Sequence, residues 1–349
     1  MVHRQQRRPL ELVGLTVPGG GNHLRFVAKT SLRMALLLVC VSILAFALVS
    51  ASPVDPLGAN VGQAALGSMS VEQIAKLETY WGVNEPPVRR YLAWAGDFIR
   101  GDMGISLLYR RNVALVLAEK ASNSLLLMLS AWILSGALGF ALGIAAGMNR
   151  EKTADRLIQG YCALIASMPV FWLALLLLTV FAVLLRVLPI GLSVPIGMES
   201  AAVTFADRLR HATLPALTLS VAGIANIALH TREKVIDVMS SDYVLFAMAR
   251  GEGRRSILRL HVLRNVLLPA VTLQFASISE VFGGSVLVEQ VFSYPGLGQT
   301  AVRAGLGGDV PLLMGITVVS AIIVLLGNLA ANILYGVIDP RMRSGRERA

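Results

Sequence analysis

Six long apolar runs organise this chain, from Met34 to Ala51, Ala121 to Asn149, Leu157 to Leu185, Ala212 to Leu229, Asn265 to Val288 and Val310 to Ile338. The only charged side chain inside any of them is Glu280. A helix rises about 1.5 Å per residue, so ~17–25 mostly apolar residues cross the hydrocarbon of a bilayer, and each run is long enough. The pattern predicts an all-α integral membrane protein with six transmembrane helices. The first run exceeds the ~7–15-residue apolar core of a cleavable leader, and Ser50 to Ser52 is a weak cleavage site, so that run is read as a retained helix.

Charge in the connecting segments sets the orientation. Of the 31 Lys and Arg residues, 20 lie before the first run, in 150–156, in 231–264 and after Asp339, and 11 lie in the alternate segments. The side richer in basic residues is cytoplasmic, which puts both termini there. Seven of the 11 fall in the loop 52–120, where seven acids match them. Residues 1–30, with Arg4, Arg7, Arg8 and a turn at Gly19 to Gly21, read as a basic, loosely ordered cytoplasmic arm suited to anionic lipid headgroups. Apolar residues at helical spacing in Val71 to Tyr80 and Val88 to Ile99, separated by Pro86-Pro87, predict a small helical extracytoplasmic cap between helices 1 and 2. The expected divisions are the arm 1–30, a first helix within 31–52, the extracytoplasmic loop 53–120, a core 121–343 holding helices 2–6 with a cytoplasmic loop 231–264, and a tail 344–349.

Composition agrees: 55% of residues are hydrophobic, 15% are charged, and mean hydropathy is +0.66. Soluble domains carry about a quarter charged residues. The net charge of +10 is spread over short segments between the runs, which excludes a nucleic-acid-binding domain. Cys40 and Cys162 lie inside apolar runs and are read as packing residues. His3, His23, His211, His230 and His261 have no metal-ligand spacing, and no metal site is expected. There is no Gly-x-x-x-x-Gly-Lys-Ser/Thr loop, no His-Glu-x-x-His and no Gly-x-Ser-x-Gly, so the chain is read as having no catalytic site and no cofactor of its own. A secondary transporter is the rival from another class. It would need intramembrane charge pairs or broken helices repeated in two halves, against which only Glu280 is on offer.

The segment Asp237 to Arg264 is too long and regular for a simple connection. Tyr243, Phe246, Ala247 and Arg250 fall on one face of a short helix, and Gly251 is placed to stop it. A second helical stretch runs from Ser256 to Val266. A short helix with exposed aromatic residues suits either a groove on a cytoplasmic partner or the lipid interface, and periodicity does not choose between them.

At these residues the chain resembles the permease family of ABC importers for dipeptides, oligopeptides and nickel, specifically the first permease of each pair. The family's cytoplasmic signature is matched by Asp242, Tyr243, Val244, Ala247, Ala249 and Gly251, and then by Arg264, Asn265, Leu267 and Pro269. Gly101-Asp102-Met103-Gly104-x-Ser106, Pro169-x-Phe171-Trp172, the run Val291 to Gly298 and Asp339-Pro340-Arg341 follow the same family in the same order. The likeness covers about residues 32–343. Where importers in general begin the loop motif with Glu-Ala-Ala, this chain has Leu245, Phe246 and Ala247.

The resemblance implies a type I ABC importer permease fold in a bacterial or archaeal cell membrane, forming half of a translocation path for peptides, with nickel or a metal chelate as the alternative cargo. It implies as partners a second homologous permease, two ATPase subunits that carry ATP-Mg, and an extracytoplasmic solute-binding protein. Asp242, Tyr243, Phe246, Ala247, Ala249, Arg250 and Gly251 would then form the helix that couples to an ATPase, with Arg254 to Arg264 flanking it. Glu280, Pro169, Gly283 and Gly284 are candidates for the path. A carboxylate at membrane depth costs ~2.5–3.5 kcal/mol on insertion scales unless it faces a cavity or a partner. Glu280 is thus either an acid that favours amine-bearing solutes or a structural hydrogen bond to a neighbouring helix or the partner permease. Glu289 is expected to be structural or gating.

Overall fold

A computed structural model of the chain describes residues 21–51, 69–81, 85–193 and 203–338. Residues 1–20 of the basic arm, the Asp339-Pro340-Arg341 motif and the tail 344–349 lie outside the described residues. Among the described residues every regular element is helical, with one isolated bridge between Ile105 and Asn112.

In chain order the helices are α1 (Gly21–Ser50), α2 (Val71–Trp81), α3 (Pro87–Ile99), α4 (Val113–Met148), α5 (Thr153–Ala166), α6 (Val170–Leu184), α7 (Phe205–Met239) and α8 (Asp242–Ala249). They continue with α9 (Arg254–Ala276), α10 (Ile278–Val291), α11 (Leu297–Leu306) and α12 (Val310–Ile338). Helices α1, α4, α7, α9 and α12 are each long and apolar enough to cross a membrane, and the bent pair α5–α6 makes a sixth span if counted together.

Several expectations need correction. The helix of the first span starts at Gly21, so residues 21–30 are helical rather than a loose arm, while Gly19 and Gly20 of the expected turn lie outside the described residues. The third span is not one helix: α5 and α6 meet at 106° across Ser167 to Pro169. Pro169 has no N–H to donate and disfavours helical geometry at the residue before it, so α5 stops and α6 starts afresh. The fourth span is much longer than the run Ala212 to Leu229, because Thr204 and Asp207 form a reciprocal capping box that starts α7 early. The fifth span starts at Arg254, continues the chain out of the polar segment, and breaks at Ser277, whose ψ of −4° separates α9 from α10. The expected loop 231–264 is therefore mostly the ends of α7 and α9, with only α8 between them.

Helices α2 and α3 form where periodicity placed them, and α3 leans on α1. Its Tyr91 hydroxyl is 2.9 Å from Ser42 Oγ, and its ring meets Phe46 edge-on at 5.5 Å.

The core is built on α4 against α7. Gly139, Gly143 and Gly147 of α4 face Ile227, Thr231 and Val235 of α7, both rows stepping by four residues. A Cβ on these glycines would lie 2.7, 2.5 and 2.5 Å from the facing Cβ atoms, so the backbones meet only because α4 has no side chain there. Lipid is as apolar as a leucine, so close packing of this kind supplies attraction that the hydrophobic effect cannot supply between membrane helices. Polar locks add to it. Trp132 Nε1 donates to the Gln274 carbonyl at 2.8 Å, and Gln274 Nε2 donates to the Trp132 carbonyl at 2.6 Å, joining α4 to α9. Arg232 of α7 makes a bidentate pair with the fully buried Asp155 of α5 at 2.6 and 2.8 Å. Ser106 Oγ donates to the buried Asp309 at 2.6 Å, fastening the Gly101 to Ser106 motif to the start of α12.

Gly143→Val in α4 should lower stability by roughly 1–3 kcal/mol, the range for overpacking a filled core. Gly160→Ala in α5, where a Cβ meets nothing within 4 Å, should be neutral or better. Thermal unfolding of the purified chain in detergent checks the pair; equal stability for wild type and Gly143→Val would remove the glycine ridge from the account.

Candidate functional site

The sequence-predicted residues fall into three places. The first is α8, where Ser241 precedes the helix and Asp242 stands in the first turn, its negative charge favourable at that end. Val244 and Ala247 turn inward, Val244 packing against Val235, Ile257, Val262 and Val266. Tyr243, Leu245, Phe246 and Met248 turn outward, with Phe246 66% and Tyr243 48% exposed. Ala247, expected on the docking face, is only 4% exposed and belongs to the core side. Its place on the outer surface is taken by Leu245 and Met248, which the sequence reading did not choose. The signal was available, since Val244 and Ala247 are small apolar residues three apart and an inner face for an eight-residue helix needs little more.

The end of α8 has the geometry of a Schellman motif. Gly251 N–H donates to the Met248 carbonyl at 2.9 Å, and Glu252 N–H donates to the Ala247 carbonyl at 3.1 Å. Gly251 holds φ at +83°, which a side chain would strain even though the space around it is open. One further bond ties α8 to α9, and two more tie the start of α9 to the end of α4. Tyr243 Oη accepts from Asn265 Nδ2 at 3.3 Å, and Arg254 Nη2 donates to the Met148 carbonyl and to Asn149 Oδ1 at the end of α4. Ala249 and Arg250 are exposed beside this stop.

The second place is one face of α10. Glu280, Gly283 and Leu287 are exposed and share that face at helical spacing, while Gly284 packs on α7, a Cβ there coming within 2.9 Å of Leu219 Cδ1. Gly283 and Gly284 do not interrupt their helix: α10 runs unbroken from Ile278 to Val291, and the break is at Ser277. Glu280 has no hydrogen-bond or ion-pair partner among the described residues, so the structural bond to a neighbouring helix of this chain is not made. Pro169 stands at the α5–α6 bend, with Phe171 and Trp172 exposed just beyond it.

The third place is the run Val291 to Gly298. Glu289, 0% exposed, accepts from Ser124 Oγ at 2.6 Å and from the Gln299 N–H at 3.0 Å. Ser124 Oγ in turn accepts from the Leu297 N–H at 2.7 Å, and Asn123 Nδ2 donates to the Pro295 carbonyl at 3.0 Å. A carboxylate and a hydroxyl thus receive the free N–H groups at the start of α11 and bolt that turn to α4. Gly296 is required because a Cβ would overlap both Glu289 and Ser124. Tyr294 is fully buried; burial first, then the nearby Glu289, pushes its phenol up to about 12, so it remains a neutral donor. Glu289 thus ties the start of α11 to α4. No group of three or more His, Cys, Asp or Glu that could hold a metal occurs among the described residues.

Residues 139–344 match the family model described as binding-protein-dependent transport system inner membrane component. The chain is 34% identical over 320 residues to the oligopeptide transport system permease protein AppB of Bacillus subtilis, covering 91% of this chain and 98% of that one. It is 30% identical to the di/tripeptide transport system permease protein DppB of Pseudomonas aeruginosa, covering 93% and 100%. To the glutathione transport system permease protein GsiC of Escherichia coli it is 32% identical, covering 92% and 99%.

Glu289→Ala leaves the Ser124 hydroxyl and the Gln299 N–H without their buried acceptor, at about 1–3 kcal/mol for each. Its thermal midpoint in detergent should fall well below that of Glu280→Ala, which removes an exposed, unpartnered side chain. A larger loss for Glu280→Ala would reverse the structural assignment of the two acids.

Proposed function

The chain belongs to the family of binding-protein-dependent transport system inner membrane components, and on that premise we propose that it is one of two permease subunits of an ATP-driven importer of peptides. The observation that carries the reading is α8: its inner side is embedded between the ends of α4, α7 and α9, and its outer side offers aromatic and aliphatic groups to a partner. A helix held at both ends and stopped by a Schellman turn suits transmission of force better than a helix lying loosely on lipid.

In this reading α8 lies on the cytoplasmic side, both termini face the same way, and each of two ATPase subunits grips one such helix. ATP-Mg binds and is hydrolysed on those subunits, and this chain contributes no catalytic group. Closure of the ATPases displaces α8, and α4, α7 and α9 carry the displacement as a rigid body to the path. A second, homologous permease completes the path, and a separate binding protein delivers the solute on the far side. Peptides are preferred over nickel or a metal chelate because the relatives above are named for oligopeptides, di/tripeptides and glutathione.

Glu280 and Gly283 line the path on the exposed face of α10, with Pro169 setting the bend that lets α6 approach it. An unpaired carboxylate at that depth is favourable only beside water, a partner or a cationic group, and the α-amine of a peptide meets that need.

Phe246→Asp places a charge on the exposed side of α8 without touching its buried side. Purification of the tagged variant should recover the second permease and lose the ATPase; full retention of the ATPase would contradict docking through α8. For Glu280→Gln, uptake of peptides with a free α-amine should fall several-fold relative to their N-acetylated forms, and an unchanged ratio would remove Glu280 from substrate recognition.

A further inference from the structure

A cleft of about 510 Å³ opens between α7 and α9 at the end of the bundle that carries α8. His230 and Lys234 of α7 and Arg264 and Asn265 of α9, all exposed, line it together with the buried Val266 and Ala270. Arg264 and His230 have no hydrogen-bond or ion-pair partner among the described residues, and Lys234 is 3.2 Å from Asp237 in an exposed pair. Glu233 is the one acid lining the cleft, against Lys234 and Arg264. Pro269, also in the lining, cannot donate to the Asn265 carbonyl one turn earlier. Three of the four signature positions in Arg264-Asn265-x-Leu267-x-Pro269, namely Arg264, Asn265 and Pro269, line this one cleft; Asn265 also bonds Tyr243 of α8, whereas the Arg264 side chain makes no bond to α8.

We propose that this cleft is a binding site for an oxyanion joined to an apolar body, with Arg264 as the principal ligand and Lys234 and His230 beside it. A guanidinium free of intramolecular partners presents a planar fork that matches a carboxylate or phosphate. Two sources share that chemistry: the carboxylate end of a peptide leaving the path, and the headgroup phosphate of an anionic lipid. The first source rests on the peptide-importer reading above; the second does not.

The test uses the whole complex of permeases, ATPases and binding protein in proteoliposomes, with Arg264→Gln, Lys234→Gln and the conservative Arg264→Lys. Three quantities are read: uptake of a peptide with a free C-terminal carboxylate against its amidated form, anionic phospholipid retained on purification by native mass spectrometry, and ATPase recovered with the permease. With peptide as the source, Arg264→Gln should lower the free-to-amidated uptake ratio by about tenfold, the scale of one charge-assisted hydrogen bond, with Lys234→Gln and Arg264→Lys smaller. With lipid as the source, the ratio holds and Arg264→Gln loses the bound phospholipid. Retained ATPase with both readouts unchanged overturns the proposal, and so does loss of the ATPase, which would make Arg264 part of the docking contact. If the wild-type complex carries no peptide, the cargo reading fails by itself, and retention or loss of lipid decides the cleft.

Discussion

The close approach of α4 and α7 exists because three α4 positions, one per helical turn, carry no side chain. Ile227, Thr231 and Val235 of α7 fill the groove left by Gly139, Gly143 and Gly147. In lipid there is no hydrophobic force to press two helices together, so the association depends on contact area and on polar groups that find partners. The α4–α7 pair supplies the contact. Gln274 with Trp132, and Asp155 with Arg232, supply the polar part and recruit α9 and α5 to the same pair. A buried ion pair adds little net stability but is costly to break, so Asp155 and Arg232 fix one arrangement rather than merely strengthening it.

From this pair the chain reaches both ends of the bundle. At one end the glycine ridge finishes beside Val235, which forms a cluster with the inner face of α8. At the other end, Asn123 bonds the Pro295 carbonyl and Ser124 bonds both the Leu297 N–H and Glu289, which holds the Tyr294 to Gly298 turn on α4. One helix therefore touches the proposed ATPase contact and the anchored turn, with the exposed face of α10 between them.

Much of this was legible in the sequence. Runs of uncharged residues located the spans, and the last of them, Val310 to Ile338, matches α12 at both ends. Gly251 was legible as a helix stop because a positive φ is the ordinary reason for glycine there. Breaks inside spans were less legible: hydropathy averages over Ser167 to Pro169 and Ser277, and a bend in a membrane leaves the apolar run intact. Ala247 was misplaced because a helical face read from aromatic positions does not say which side the rest of the chain covers. The Gly139-x-x-x-Gly143-x-x-x-Gly147 spacing was open to reading but lay inside a run already explained as a span. Asp155 with Arg232, and Glu289 with Ser124, join residues 77 and 165 positions apart, and such pairing is invisible without the fold.

The central claim is that α4, α7 and α8 move as one body when the ATPases close. Spin labels at Ser240, beside α8, and Leu129, an exposed α4 position, measure it directly in the complete complex. Cys40 and Cys162 are first replaced by serine, and distances are recorded without nucleotide and with ATP trapped. The account predicts the same distance distribution in both states, while the distance from Ser240 to the equivalent site on the second permease changes. A shift between Ser240 and Leu129 larger than the width of the distribution would mean that the end of α7 leading into α8 moves away from α4, and the rigid transmission described above would be wrong.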